Sequence, residues 1–216
     1  MATDAAQRLT RERRALHLHG IYAILNESPR VLELAHAVLG AGIGVVQYRA
    51  KSGIDDEHLR ALRGLTRERG ALLVLNDDWR AAREFDCDGV HLGPGDDGFD
   101  AVAPIREALS DRLVGLSCAT LEEVRGANAA GADYLGVGSV FATKSKSDAG
   151  APIGPQRLRE LVAASAVPVA AIGGITAPLI AGVRRCGAAM AAVISAIDGA
   201  PDPQRAAREL VDAWDR

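Results

Sequence analysis

Long apolar runs are missing from this sequence. No stretch approaches the ~18 uninterrupted apolar residues of a helical membrane span, so no such span is expected. The N-terminal segment "MATDAAQRLTRERRALHLHG" is charged throughout and has no apolar centre, so it is not read as a signal peptide. Cysteine is scarce: Cys87, Cys118 and Cys186 are an odd number without metal-type spacing. That argues against a disulfide framework or a cysteine zinc site and fits reduced thiols in a cytoplasmic protein. Neither charge dominates, since Lys plus Arg number 25, Asp plus Glu number 28, and the net charge is −3. A general affinity for nucleic acid or for a membrane surface is therefore not expected. Linkers, low-complexity tracts and breaks in composition are also lacking, so a single domain is expected, with residues 1–19 as an N-terminal arm or helix and residues 20–216 as the body.

What is present is a rhythm. Short apolar, β-branched runs recur roughly every 25 residues: "GIYAIL" (20–25), "IGVVQYR" (43–49), "ALLVLN" (71–76), "CDGVHL" (87–92), "RLVGLS" (112–117), "ADYLGVG" (132–138), "VPVAAIG" (167–173) and "AMAAVIS" (189–195). Segments with helical periodicity lie between them, such as "DDEHLRALRGLTRERG" and "TLEEVRGANAAGA". Strands with little polar alternation fit a parallel sheet covered on both faces, and parallel strands need helical crossovers. Three near-repeats, "FDCDGVHLG", "AAGADYLGVG" and "RCGAAMAAVIS", each run from helix end through a small turn into a strand. Eight such units predict an α/β fold of the (β/α)8 TIM-barrel type, with an open doubly wound sheet as the alternative.

A barrel carries its chemistry at the carboxyl ends of its strands. After the second strand, Gln47, Arg49 and Lys51 alternate and so share one face. A guanidinium and an ammonium there suit a diphosphate, or else form a basic surface loop. After the third and fourth strands stand Asn76, Asp77 and Asp78, then His91, Gly93, Asp96 and Asp97. Two carboxylates on neighbouring strand ends fit a magnesium ion shared with phosphate oxygens. The competing reading makes Asp77 a helix cap, Asp96 a turn residue and His91 a satisfied core side chain. Ser117, after the fifth strand, either donates to a leaving group or caps the next helix, where Thr120 competes. Cys118 has no activating partner in view and is read as structural. After the sixth strand, "TKSKSD" places Thr143, Lys144, Ser145 and Lys146 in a long loop suited to phosphate. Gly173, Gly174 and Ser195 follow the seventh and eighth strands, where barrels often hold phosphate on backbone N–H groups. The pattern predicts two anion sites and a transfer reaction in which diphosphate leaves.

Seven stretches in order, "QYRAK", "LNDD", "DGVHLGPGD", "GLSCATLEE", "GADYLGVGSVFATKSKSD", "AIGGIT" and "VISAI", resemble the thiamine-phosphate synthases over roughly residues 20 to 197. The resemblance implies coupling of aminomethylpyrimidinylmethyl diphosphate to a thiazole phosphate, plain or carboxylated, with release of diphosphate. It implies pyrimidine-diphosphate contacts at Gln47, Tyr48, Arg49, Ala50 and Lys51, and at Asn76, Ser117 and Lys146. Magnesium would be held by Asp77 and Asp96, and the thiazole phosphate by Thr143, Lys144, Ser145, Gly174, Ile194 and Ser195. Catalytic assistance to the leaving anion falls on Arg49, Lys51, Lys146 and Ser117. Small-molecule substrates are the implied partners, with self-association left open. The sequence departs from the family pattern at Pro94, Ala119, Ser139, Ala142, Ala189 and Met190. A related branch, the thiazole tautomerases, carries a histidine at the position of Ala119 and generally lacks the full loop pattern found at 143–146. A non-catalytic barrel that binds a thiamine precursor is the other alternative.

Overall fold

A computed structural model describes residues 10–143 and 151–216. Eight parallel strands close into a barrel in sequence order. They are β1 (Gly20–Asn26), β2 (Val45–Arg49), β3 (Leu72–Asn76), β4 (Gly89–Leu92), β5 (Leu113–Cys118), β6 (Tyr134–Val137), β7 (Val169–Ile172) and β8 (Met190–Val193). Each lies inside its predicted run or within one residue of it, and β1 with β8 makes the closing pair, Gly20 opposite Met190. The helices are α1 (Arg11–Ala15), α2 (Val31–Gly40), α3 (Asp56–Glu68), α4 (Trp79–Glu84), α5 (Val102–Leu109), α6 (Leu121–Ala130), α7 (Gly154–Ala164), α8 (Ala177–Arg185), α9 (Ser195–Asp198) and α10 (Pro203–Asp215). Their starts follow local chemistry. Asp55, Asp78 and Asp202 each accept backbone N–H bonds as N-caps, and Thr120 with Glu123 forms a capping box on α6.

Strand alternation divides the apolar residues into two groups. One group, including Tyr22, Ile24, Val45, Leu72, Val74, Leu113, Tyr134, Ala170, Met190 and Ala192, fills the barrel. The other, including Ala23, Leu25, Val46, Tyr48, Leu73, Leu75, Val90, Leu116, Leu135 and Ala191, packs outward against the helices.

The two near-repeats that carry aspartate have a shared structural cause. Asp88 and Asp133 precede β4 and β6, and each carboxylate accepts a backbone N–H from the preceding strand: Leu73 N at 2.9 Å and Val114 N at 2.7 Å. Arginines neutralise both. Asp88 pairs with Arg14 at 3.0 Å and Arg63 at 2.7 Å, and Asp133 with Arg106 at 2.6 Å and Arg11. Arg11 and Arg14 belong to α1, so residues 11–15 form a short helix fastened under the amino ends of the strands, followed by Leu18 buried in the barrel. In the third near-repeat Ala189 takes the aspartate position.

Candidate active site

The inward face of each strand continues into the residues at its carboxyl end. A cavity of about 640 Å³ opens there, lined by side chains from all eight strands or the loops that follow them. That volume suits a pair of small-molecule substrates.

Strand β2 delivers Gln47, Arg49 and Lys51 to the cavity, as their alternation predicts. Arg49 is oriented by a bond from its Nη1 to Asn26 Oδ1 at 3.1 Å, across the β1–β2 register that sets those two residues side by side. Lys51 Nζ reaches Asp77 Oδ2 at 2.5 Å. Tyr48 and Ala50 are not brought to the cavity. The opposite parity turns Tyr48 outward, where it is fully buried and its hydroxyl donates to Glu27 while accepting the Asp55 N–H at 3.1 Å. Ala50 packs against the outer apolar group.

Asn76, Asp77 and Asp96 line the same wall. Asp78, not Asp77, caps α4, accepting from Arg80 N and Ala81 N, so the cap reading of Asp77 does not hold. Asp77 instead adopts φ 69°, a left-handed backbone that is uncommon outside glycine, and its carboxylate faces Asp96. Asp96 also accepts the Gly93 N–H at 2.6 Å, the turn contact expected of it. Burial, then the neighbouring Asp77, pushes the Asp96 carboxyl above the ordinary carboxylate range. Two facing carboxylates with an ammonium beside Asp77 and a basic strand end suit a hard divalent cation with oxygen ligands, so the residues present fit magnesium. Among the described residues a further group with metal-type proximity is Glu27, Asp55 and His58, on the outer side of β1 and β2.

On the floor, Thr120 takes the α6 cap and so releases Ser117 from that role. Ser117 Oγ lies 3.0 Å from His91 Nε2, and His91 Nδ1 lies 3.1 Å from the Tyr134 hydroxyl. Cys118 is buried, and burial pushes its thiol up to about 12.

The far wall comes from β6 to β8. Thr143, Gly173, Gly174, Ile194 and Ser195 all reach the cavity. The two glycines have positive φ, 103° and 64°, and a Cβ on either would fall 2.0 Å from Ser139 Oγ or 2.4 Å from Ala142 O. Only glycine lets the β7 turn press against the chain leaving β6, and Val140 N and Phe141 N bond to Ile172 O and Gly173 O at 2.8 and 3.0 Å. Lys144, Ser145 and Lys146 lie outside the described residues. Of the departures from the family pattern, Pro94, Ala119 and Ser139 line the cavity, whereas Ala189 and Met190 sit at the opposite end of β8.

Tyr22 and Tyr134 reach the site from within β1 and β6 and not from the carboxyl ends, so the strand-end pattern does not single them out. Their signal is slight: a phenol at an inward position of a mainly aliphatic strand.

A closed parallel barrel that gathers cations, facing carboxylates, hydroxyls and close-packed glycine turns around one cavity has the layout of a phosphate-handling barrel enzyme. The thiamine monophosphate synthase family model matches residues 21–197. The chain is 43% identical to the thiamine-phosphate synthase of Moorella thermoacetica over 184 residues, 83% of this chain and 86% of that one. It is 43% identical to that of Halorhodospira halophila over 205 residues, 92% and 96% of the two chains. A solved thiamine phosphate pyrophosphorylase from Pyrococcus furiosus superposes with a TM-score of 0.82 at 34% identity, covering 93% of this chain and 98% of that one. The chain belongs to the thiamine monophosphate synthase family.

Proposed function

We propose that this barrel joins aminomethylpyrimidinylmethyl diphosphate to a thiazole phosphate, plain or carboxylated, giving thiamine phosphate and diphosphate. The observation that carries the reading is the single cavity, shared by Arg49, Lys51, Asn76, Asp77 and Asp96 from β2 to β4 and by Thr143, Gly174, Ile194 and Ser195 from β6 to β8. Those strands lie across the closed barrel from one another. The diphosphate belongs beside β2 to β4, the thiazole phosphate beside β6 to β8.

In the reaction the methylene C–O bond breaks with its electron pair leaving on diphosphate, and the thiazole nitrogen lone pair forms the new C–N bond. Arg49 and Lys51 bind the departing anion, Arg49 held in place by Asn26. Ser117 donates a hydrogen bond to it, with Lys146 as a further cation from the loop. Asp77 and Asp96 would hold magnesium, which when bound neutralises charge on the diphosphate. Lys51 then exchanges its contact with Asp77 for the phosphate oxygens. Alignment of the two substrates across one cavity supplies a large part of the acceleration.

The test is a coupling assay on the purified protein, with chromatographic detection of thiamine phosphate. Product is expected with magnesium, none with EDTA, and recovery when magnesium is restored. The combined Asp77→Ala and Asp96→Ala variant is expected to lose at least about a hundredfold in kcat/KM. Full activity in that variant overturns the metal assignment. Absence of product from wild type with both substrates bound overturns the coupling reading.

A further inference from the structure

Five side chains from five strands form one continuous hydrogen-bonded chain through the barrel. Gln47 Nε2 donates to the Tyr22 hydroxyl at 2.7 Å. Tyr22 and Tyr134 hydroxyls lie 2.9 Å apart, the Tyr134 hydroxyl lies 3.1 Å from His91 Nδ1, and His91 Nε2 lies 3.0 Å from Ser117 Oγ. None of these contacts is local: sequence separations are 25, 112, 43 and 26 residues.

Two glycines make room for it. In the register His91 stands opposite Gly115, and Gly115 opposite Tyr134, so the histidine and tyrosine rings meet across a residue without a side chain. A Cβ on Gly115 would lie 2.2 Å from the Tyr134 ring and 2.6 Å from its hydroxyl. Gly136 stands opposite Ser117, and a Cβ there would lie 2.9 Å from His91 Cε1. Both contacts are far inside van der Waals range, so the strands are built around the two rings.

Proton counting gives the chain a direction. Burial pushes both phenols above their ordinary value, so each carries one proton. Tyr22 accepts from the Gln47 amide, and its own proton then goes to Tyr134. Tyr134 gives its proton to the bare Nδ1 of His91, which leaves the imidazole proton on Nε2, aimed at Ser117 Oγ. With its oxygen already accepting, Ser117 turns its O–H toward the cavity. With the Gln47 amide nitrogen facing the Tyr22 hydroxyl, that hydroxyl accepts there and its proton is directed to Tyr134; the other polarity needs the amide turned over to present its oxygen. The coupling reading agrees from the opposite end, because an anionic leaving group draws the serine proton toward itself.

We propose that His91 is a positioning residue: a neutral Nε2–H imidazole, locked in that tautomer by Gln47, Tyr22 and Tyr134, that fixes Ser117 as a hydrogen-bond donor to the departing diphosphate. Its catalytic meaning rests on the coupling reaction, but its geometry is readable in the resting protein.

The first test is ¹⁵N NMR of histidine-labelled wild type at neutral pH, with the His91 signals assigned by their loss in His91→Gln. A proton on Nε2 with a bare Nδ1 supports the proposal. A proton on Nδ1, or an imidazolium, overturns it, whatever the protein turns over. The second test is a double-mutant cycle. Tyr134→Phe is expected to lower kcat about three- to tenfold with little change in KM for the pyrimidine diphosphate, and to have less than about a twofold effect in a Ser117→Ala background. Equal losses in both backgrounds overturn the relay. If wild type makes no thiamine phosphate, the coupling reading fails while the tautomer result still stands or falls by itself.

Discussion

Asp77 holds a backbone that a side-chain-bearing residue avoids, at a cost of about 1 kcal/mol or more, and does so one residue before the aspartate that caps α4. The division of labour between Asp77 and Asp78 follows. Asp78 satisfies the orphan N–H groups of the helix, and the turned backbone aims Asp77 at Asp96 and Lys51. Neighbouring residues differ as sharply at Cys118. It stands beside the pocket, but burial lifts its thiol to about 12, so at pH 8 it is overwhelmingly protonated and a poor nucleophile. Alkylation of Cys118 by iodoacetamide at pH 8, followed by mass spectrometry of the folded protein, is expected to run at least about tenfold slower than that of free cysteine. Rapid modification with parallel loss of activity would restore the thiol as a candidate group. At this scale the sequence was informative where chemistry is local. Gln47, Arg49 and Lys51 reach one cavity because alternate residues of a strand share a face, and Tyr48 leaves it for the same reason.

At the scale of elements, the amino and carboxyl ends of the strands do different work. Asp88 is almost fully buried beneath the barrel and binds Arg14 of α1, Arg63 of α3 and the Leu73 N–H of β3, so one carboxylate ties together four elements, counting its own approach to β4. Asp88→Asn removes the buried charge that faces Arg14 and Arg63. The expected cost is about 3–5 kcal/mol, or a fall in Tm of roughly 10 °C for a chain of this size. Because Asp88 lies at the end of β4 away from the cavity, kcat measured well below the new Tm is expected to stay within about twofold of wild type. A full loss of activity in folded protein would show that the lower end of the barrel is coupled to the site. The strands themselves were legible, each a mainly apolar run between turn residues. The function of the "CDG" and "GAD" turns was not, since their aspartates bond to N–H groups of a different strand and to arginines far along the chain.

For the whole molecule, closure of the sheet is what makes a shared site. Strands β2 to β4 and β6 to β8 are distant in sequence, and the ring of eight faces them across one cavity. Ligands that bind only the folded barrel stabilise it by mass action. A pyrimidine-methyl diphosphate at about a hundred times its Kd, with magnesium, is expected to add about 2.7 kcal/mol and raise Tm by roughly 5–10 °C. EDTA is expected to remove most of that shift. An equal shift with and without EDTA would mean that the facing aspartates do not hold a cation.

The sequence by itself determined the eight strands, their helical crossovers, the barrel class and most of the polar residues that crown the strands after the first. All of these follow from periodicity and from residues a few positions apart. Only the tertiary structure decided that Asp78 rather than Asp77 caps α4, that Thr120 frees Ser117, and that Gln47, Tyr22, Tyr134, His91 and Ser117 form one chain. The physical reason is that a hydrogen bond depends on position and direction in space. Register, closure and two missing Cβ atoms at Gly115 and Gly136 set those, and no spacing along the chain encodes them.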